Sequence, residues 1–353
     1  MKFQVYSDLE IFETILLESE KYGNWNNILK NHSDVFVNIS QDDYEKDIAK
    51  TEDSIIFQYL KDSGGKEPIP NMQFFKDFEK DNSIVVNKPL STYFLSKDDT
   101  TIQSLIDKYG LIFKNLTIDD NILCAKFQKN CNEGEIIANA DSVGWKAIMP
   151  QRKFVNNSLI ITDPHLFNNS KNVNGIDVNY GVENIVSFLD FILPRTLGID
   201  FHLLIVFSSQ NKGISEAKFQ TMYNDLYNRI SALRQYNFIF ELIMTPSTIH
   251  SRNSFSNYNL INCDKGFKIF SLDDPSKVHT NNKFKYFEIF EINDSSSGDS
   301  HFKELTEEIP KIKSGIYEAI TTIKSVNRNL EDKKCSGLDS SYNIKNRLLN
   351  YFP

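Results

Sequence analysis

Residues 201 to 207 read Phe-His-Leu-Leu-Ile-Val-Phe, an almost unbroken apolar run one strand long. A run that does not alternate has no polar face to turn to water, so it belongs to a strand covered on both sides. Covering both sides takes helices. The stretch 182 to 193 sets Ile185, Phe188, Leu189 and Ile192 in helical register ahead of Pro194. The stretch 215 to 236 does the same with Phe219, Met222, Tyr223, Leu226, Ile230 and Leu233. Two further apolar runs, 158 to 162 closed by Asp163-Pro164 and 238 to 244, complete a strand, helix, strand, helix, strand order. That order predicts a pair of right-handed crossovers and a parallel sheet. His202, inside the central run, is expected to be a satisfied core histidine, and Trp25 and Trp145 to be packing residues.

The first half is less regular. It reads as a strand at 3 to 6, then a helix from Asp8 with Ile11, Phe12, Ile15 and Leu16 on one face. Strands are expected at 35 to 37, 54 to 60, 84 to 86 and 92 to 95. A helix over 98 to 108 should stop at Gly110, with a strand at 111 to 113. The charged stretches 47 to 53 and 76 to 81 read as solvated faces or loops. Beyond residue 244, strands are expected at 258 to 262, 267 to 270 and 283 to 292, then a loop at 294 to 300 and a helix over 301 to 329. The lysine-rich end to residue 353 reads as a loosely attached tail. The expected class is α/β: an irregular α/β domain over 1–148, a second α/β domain with a partly parallel sheet over 149–300, and a C-terminal helix and tail over 301–353.

Composition narrows the function. With 40% hydrophobic residues and only 14 Gly and 10 Pro the chain is globular. Its 39 basic and 47 acidic side chains give a net charge of −8, so it does not coat nucleic acid or anionic membrane by bulk charge, and any such contact is local. The heavy use of Asn, Lys, Phe, Ile and Tyr is that of an AT-rich bacterial genome. No apolar run approaches the roughly 18 residues of a membrane span, and the N-terminus lacks the pattern of a secretory signal. Cysteines 124, 131, 263 and 335 contain no CxxC pair, which argues against zinc or a disulfide framework and for the reducing cytoplasm.

In an open parallel sheet, ligands bind beyond the carboxyl ends of the strands. Here those exits carry Asp163 and His165, then Ser208, Ser209 and Gln210, then Thr245, Ser247, Thr248, His250 and Arg252. Imidazoles, a guanidinium and hydroxyls at one sheet edge suit a phosphate ester, whose oxygens they hold while an imidazole serves as nucleophile, acid or base.

His250-Ser251-Arg252, four residues and then Asn257 resembles the His-x-Lys-x4-Asp signature of the phospholipase D superfamily, with Arg for Lys and Asn for Asp. The closer likeness is to the phospholipase D-like C-terminal domain of MIT-domain proteins. It is carried by Ile160-Ile161-Thr162-Asp163-Pro164-His165, the helix at 185 to 192, the strand at 203 to 207, the helix at 219 to 233 and the stretch 243 to 252. Asp264-Lys265-Gly266-Phe267-Lys268-Ile269-Phe270 completes it, and it covers about 155 to 295.

The resemblance implies a phospholipase D-like second domain that takes nucleic acid or another phosphodiester, in a bacterial defence or stress system. It implies His250 and His165 as catalytic groups, Arg252, Asn257, Ser247, Thr248, Ser208 and Lys265 as phosphate ligands, and Asp163 as the orienting carboxylate. The superfamily uses two facing motif copies. With one copy, cleavage requires a homodimer that brings two His250 side chains together, or His165 in the same subunit. Whether the chain cuts stays open, and no cofactor is implied.

Two other readings stand beside this one. The pocket is vestigial in the first, and the protein is an interaction module for a protein partner from the same operon or an anionic lipid headgroup. In the second, Asp8, Asp53 and Asp98 at strand ends gather around Mg2+ as in PIN-like nucleases.

Overall fold

The computed structural model describes residues 3–117, 125–139, 141–149, 153–167, 170–173, 176–208, 216–245, 251–289, 301–325, 335–338, 341 and 343–352. The class is α/β, as expected. The chain divides into two compact units, Met1–Cys124 and Ala125–Pro353.

The first unit runs β1 (Phe3–Asp8), α1 (Leu9–Leu17), α2 (Gly23–Asn27), β2 (Ser33–Asn38), α3 (Gln41–Ile48), α4 (Ile55–Asp62), β3 (Ile69–Pro70), α5 (Met72–Lys80), β4 (Ser91–Phe94), α6 (Asp99–Tyr109) and β5 (Ile112–Lys114). Its five strands are all parallel, in the order β3-β2-β1-β4-β5. On one face Tyr6 stacks between Phe36, at 4.7 Å, and Tyr93, at 5.3 Å, and Phe74 of α5 lies 4.2 Å from Tyr6. Gly110 ends α6 in the left-handed region, the stop expected from sequence.

Two local expectations are corrected here. The run 54 to 60 is helical, because the Ser54 hydroxyl accepts the Phe57 N–H and Ile56 and Tyr59 are buried one turn apart. Residues 84 to 86 lie in a 3-10 turn, Asn82–Asn87, opened by Asp81, whose carboxylate accepts the Ser83 N–H. The charged stretch 76 to 81 is the solvated face expected, carried by the end of α5, whose Phe74, Phe75 and Phe78 are buried.

The second unit runs β6 (Lys126–Cys131), β7 (Ala138–Asn139), β8 (Ser142–Val143), α7 (Trp145–Ile148), β9 (Ser158–Thr162), β10 (Ser170–Val173), β11 (Ile176–Asn179), α8 (Tyr180–Ile192), β12 (Phe201–Ser208), α9 (Glu216–Ser231) and β13 (Phe238–Thr245). It continues with β14 (Asn253–Ser256), β15 (Asn259–Cys263), β16 (Asn282–Glu288), α10 (His301–Ser325), β17 (Cys335–Ser336) and α11 (Arg347–Tyr351). Eight strands form one sheet in the order β17-β13-β12-β9-β14-β15-β16-β6. Strands β9, β12 and β13 are parallel, as the crossover pattern requires, and the other pairs are antiparallel. Leu159, Ile161, Leu203, Ile205 and Leu242 pack with Phe188 and Leu189 of α8, Phe219 and Leu226 of α9, and Trp145.

The unit boundary falls after Cys124 instead of after 148, because β6 pairs with β16 and so belongs to the second sheet. Residues 267 to 270 form no strand; they follow a turn at Gly266, and Phe270 makes an isolated bridge to Val278, whereas β14, ahead of β15, is a strand that the sequence pattern did not mark. The tail is also not loose. Asn346 has no exposed surface; its side chain bonds Ser158 Oγ at 3.1 Å and the Leu159 carbonyl at 3.1 Å. His202 is the satisfied core histidine expected, with Nδ1 2.8 Å from the Lys345 carbonyl. Among the described residues no helix is long and apolar enough to cross a membrane.

Candidate anion-binding site

Strand β9 ends at Thr162, and Asp163 carries the ladder one residue further by donating its N–H to the Val206 carbonyl at 3.2 Å. Its side chain is turned away from water. One carboxylate oxygen accepts the His165 N–H and the other the Phe267 N–H, each at 2.9 Å. Burial pushes this carboxyl above the usual range, while the two amides, Lys268 and Arg252 pull it back.

The approach of Phe267 depends on Gly266. Its φ is +89°, and a Cβ there would lie 2.3 Å from Asp163 Oδ2, so no other residue fits without displacing the carboxylate. Lys268 follows, half-buried. Burial lowers its pKa, Asp163 raises it and Arg252 lowers it, so Lys268 feels both the carboxylate and the second cation. Arg252 leads into β14. Its Nη1 donates to the Asp264 carbonyl at 3.0 Å, and its Nε is buried with no hydrogen-bond partner among the described residues. Two cations around one buried carboxylate leave a surplus of positive charge and an unused donor, and an anion with several acceptor oxygens satisfies both.

Of the expected site residues, Asp163, His165, Ser208 and Arg252 lie at the carboxyl ends of the parallel strands. The His165 side chain is exposed. Ser208 is paired in register with Thr245, whose hydroxyl donates to the Gly315 carbonyl at 3.1 Å. Ser247, Thr248 and His250 lie outside the described residues, as do Ser209 and Gln210.

Asn257 is a correction. Strand β14 runs antiparallel to β9, so the chain carries Asn257 to the other end of that strand, roughly 16 Å from the Asp163 end at the usual rise per residue. There Asn257 is fully buried, and its Oδ1 accepts the Asn157 and Ser158 N–H groups at 2.9 and 3.1 Å. Lys265 is exposed on one side of Gly266, and Lys268, on the other side, is the lysine in the field of Asp163 and Arg252. The signal for Lys268 was its place between two fully apolar neighbours, Phe267 and Ile269, both buried.

In the first unit, Asp8 stands at the end of β1, where the strand order reverses. Its oxygens accept from Asn38 Nδ2 at 2.8 Å and from the Ser96 N–H at 2.7 Å. Asp98 caps α6 through Thr101, whose hydroxyl and amide lower its pKa. Asp53 lies in a 3-10 turn that leads into helix α4, not into a strand. Among the described residues no group of three His, Cys, Asp or Glu side chains is arranged to hold a metal ion.

Comparison with protein-family models and with curated protein sequences found no match for this chain.

Proposed function

We propose that the second unit is a phosphodiester-binding module and that its ligand is nucleic acid. The observation that carries this reading is that Arg252 and Lys268 both stand in the field of the buried Asp163, whose carboxylate holds the turn leading to Lys268, and that Arg252 Nε has no hydrogen-bond partner among the described residues. In this reading Arg252 supplies the directional bonds to the phosphate oxygens and Lys268 a compact charge. Asp163 touches no ligand. It ties the Gly266 turn to the end of β9 and so positions Lys268.

The order of parallel strands and helices is what a phospholipase D-like domain requires, which supports the resemblance. The position of Asn257 weighs against the motif acting as a unit. His165 stands two residues from Asp163 with its side chain exposed, and cleavage would be an added property of the same site and not a condition of binding.

The test is anisotropy titration of a labelled dinucleotide and a labelled oligonucleotide with the full chain, its Arg252→Ala and its Lys268→Ala variants. Each variant should weaken binding at least tenfold, the size expected for removing one charge-assisted contact of about 1.5 to 3 kcal/mol. Unchanged binding in both overturns the proposal. Binding of anionic vesicles in place of nucleic acid, lost in the same variants, would transfer the site to a lipid headgroup.

A further inference from the structure

The strand register brings two opposite charges side by side in the candidate site. Strand β14 sets Asn253 opposite Thr162 of β9, so one residue further on Arg252 faces Asp163 on the same side of the sheet. Opposite side chains of an antiparallel pair stand about 5 Å apart at Cβ. The two groups nevertheless turn to other partners. Both Asp163 oxygens accept backbone amides, from His165 and Phe267, and Arg252 Nη1 donates to the Asp264 carbonyl. We propose that this arrangement selects ligands by charge: the site takes a singly charged phosphodiester and rejects a doubly charged phosphate monoester, so that the module binds along the interior of a nucleic-acid strand and not at a phosphorylated end. This rests on the reading of Arg252 and Lys268 as an anion site.

Arg252 and Lys268 bring two positive charges into the field of Asp163, which brings one negative charge and leaves one positive charge unmatched. Two oxygens that each accept an amide hydrogen are the pattern of an ionised carboxylate. Asp163 has no exposed surface, so solvent screens its charge little. A diester leaves water with one charge and finds one to meet it. A monoester above its second ionisation, near pH 6, carries a second charge that meets only the buried carboxylate. The other groups nearby do not alter this balance. Cys263, whose N–H donates to the Arg252 carbonyl, is fully buried, and burial and Asp163 push its thiol up, so it stays neutral. His165, Asp264 and Lys265 are exposed to screening by solvent, and Asp264 and Lys265 carry opposite charges. Tying the Gly266 turn to β9 is reason enough for a carboxylate at 163, and the tie does not remove its charge.

The test displaces a labelled dinucleotide without terminal phosphate from the full chain, using dimethyl phosphate or methyl phosphate as competitor. At about pH 8 methyl phosphate is a dianion and should compete less well than dimethyl phosphate by about tenfold or more. At about pH 5 both carry one charge, any other titrating group acts on both alike, and their potencies should converge. Methyl phosphate that competes as well at the higher pH, while Arg252→Ala still weakens dinucleotide binding, overturns the charge selectivity alone. A gap that persists undiminished at the lower pH belongs to the extra methyl group and overturns it as well. Dinucleotide binding that ignores both Arg252→Ala and Lys268→Ala overturns the pocket reading instead.

Discussion

Glu241 and Asn346 are 105 residues apart in the chain and meet on strand β13, where the Asn346 N–H donates to Glu241 Oε2 at 2.9 Å. The Lys345 N–H donates to the other oxygen at 2.7 Å. Glu241 has no exposed surface, and a carboxyl group so placed needs both oxygens engaged. The C-terminal segment supplies the donors and is thereby held as part of the core, close to the amino ends of β9 and β12. The anion site lies at the opposite ends of the same strands, so the two clusters can be probed separately.

Asn346→Ala removes the bonds to Ser158 Oγ and the Leu159 carbonyl, and the acceptor for the Leu349 N–H, all buried. Leaving such groups unpaired should cost about 3 kcal/mol. In a unit of this size that lowers the unfolding midpoint by roughly 6 to 12 °C, which calorimetry of the full chain would read. An unshifted midpoint would contradict the anchored tail.

His202 sets an acid limit on stability. It is 7% exposed, and burial, with Arg347 next, pushes its pKa down to about 4. An unfolded histidine titrates near 6.5, so below that pH the unfolded chain takes up a proton that the folded chain refuses until about pH 4. Stability is therefore complete above about pH 6.5 and falls as pH drops through this window, by about 3 kcal/mol at most. His202→Gln should flatten the loss over the same window in denaturant titrations at stepped pH. A loss of equal size in the variant would assign it elsewhere.

Gly266→Ala places a Cβ against Asp163 Oδ2 and forces a left-handed φ of +89° on an L side chain. Together these should cost about 2 to 4 kcal/mol. The turn that carries Lys268 would shift, so dinucleotide affinity should fall along with the midpoint. Full affinity in a folded Gly266→Ala protein would show that Lys268 is not positioned by this turn.

The carboxyl of Asp163, held above its usual range by burial, makes anion affinity depend on pH. Above its pKa the carboxylate offsets one of the two cations. As pH falls through that value the group becomes neutral, the surplus charge grows, and a phosphodiester, which keeps its own charge, should bind more tightly. Asp163→Asn should remove the acid-side gain. Dinucleotide titration of both proteins at stepped pH decides between them, and a gain that survives in Asp163→Asn belongs to another group.

The elements that could be read from the sequence are those whose apolar period runs long enough to exclude alternatives. Strands β9, β12 and β13 and helices α8 and α9 are of this kind. The run 54 to 60 is short and apolar enough to suit either element, and the Ser54 cap decides it. Strand β14, Asn-Ser-Phe-Ser, carries no strand pattern; it is extended because β9 and β15 flank it and take its backbone hydrogen bonds. The spacing from His250 to Asn257 matched a motif, but the reversal of the chain at β14 separates Arg252 from Asn257 by the length of a strand.

Local order is a property of neighbours in the chain, and for that reason composition and periodicity were enough to establish the α/β class, the two crossovers and the parallel centre of the second sheet. Where a polar side chain ends up depends on partners about a hundred residues away: Asp163 finds its second donor at Phe267, and Glu241 finds its donors at Lys345 and Asn346. No local pattern encodes such pairs, because what selects them is the cost of burying an unpaired carboxyl once the sheet has closed around it. A C-terminal segment fixed at Lys345 and Asn346, in place of a loose tail, was decided in that way by the tertiary structure.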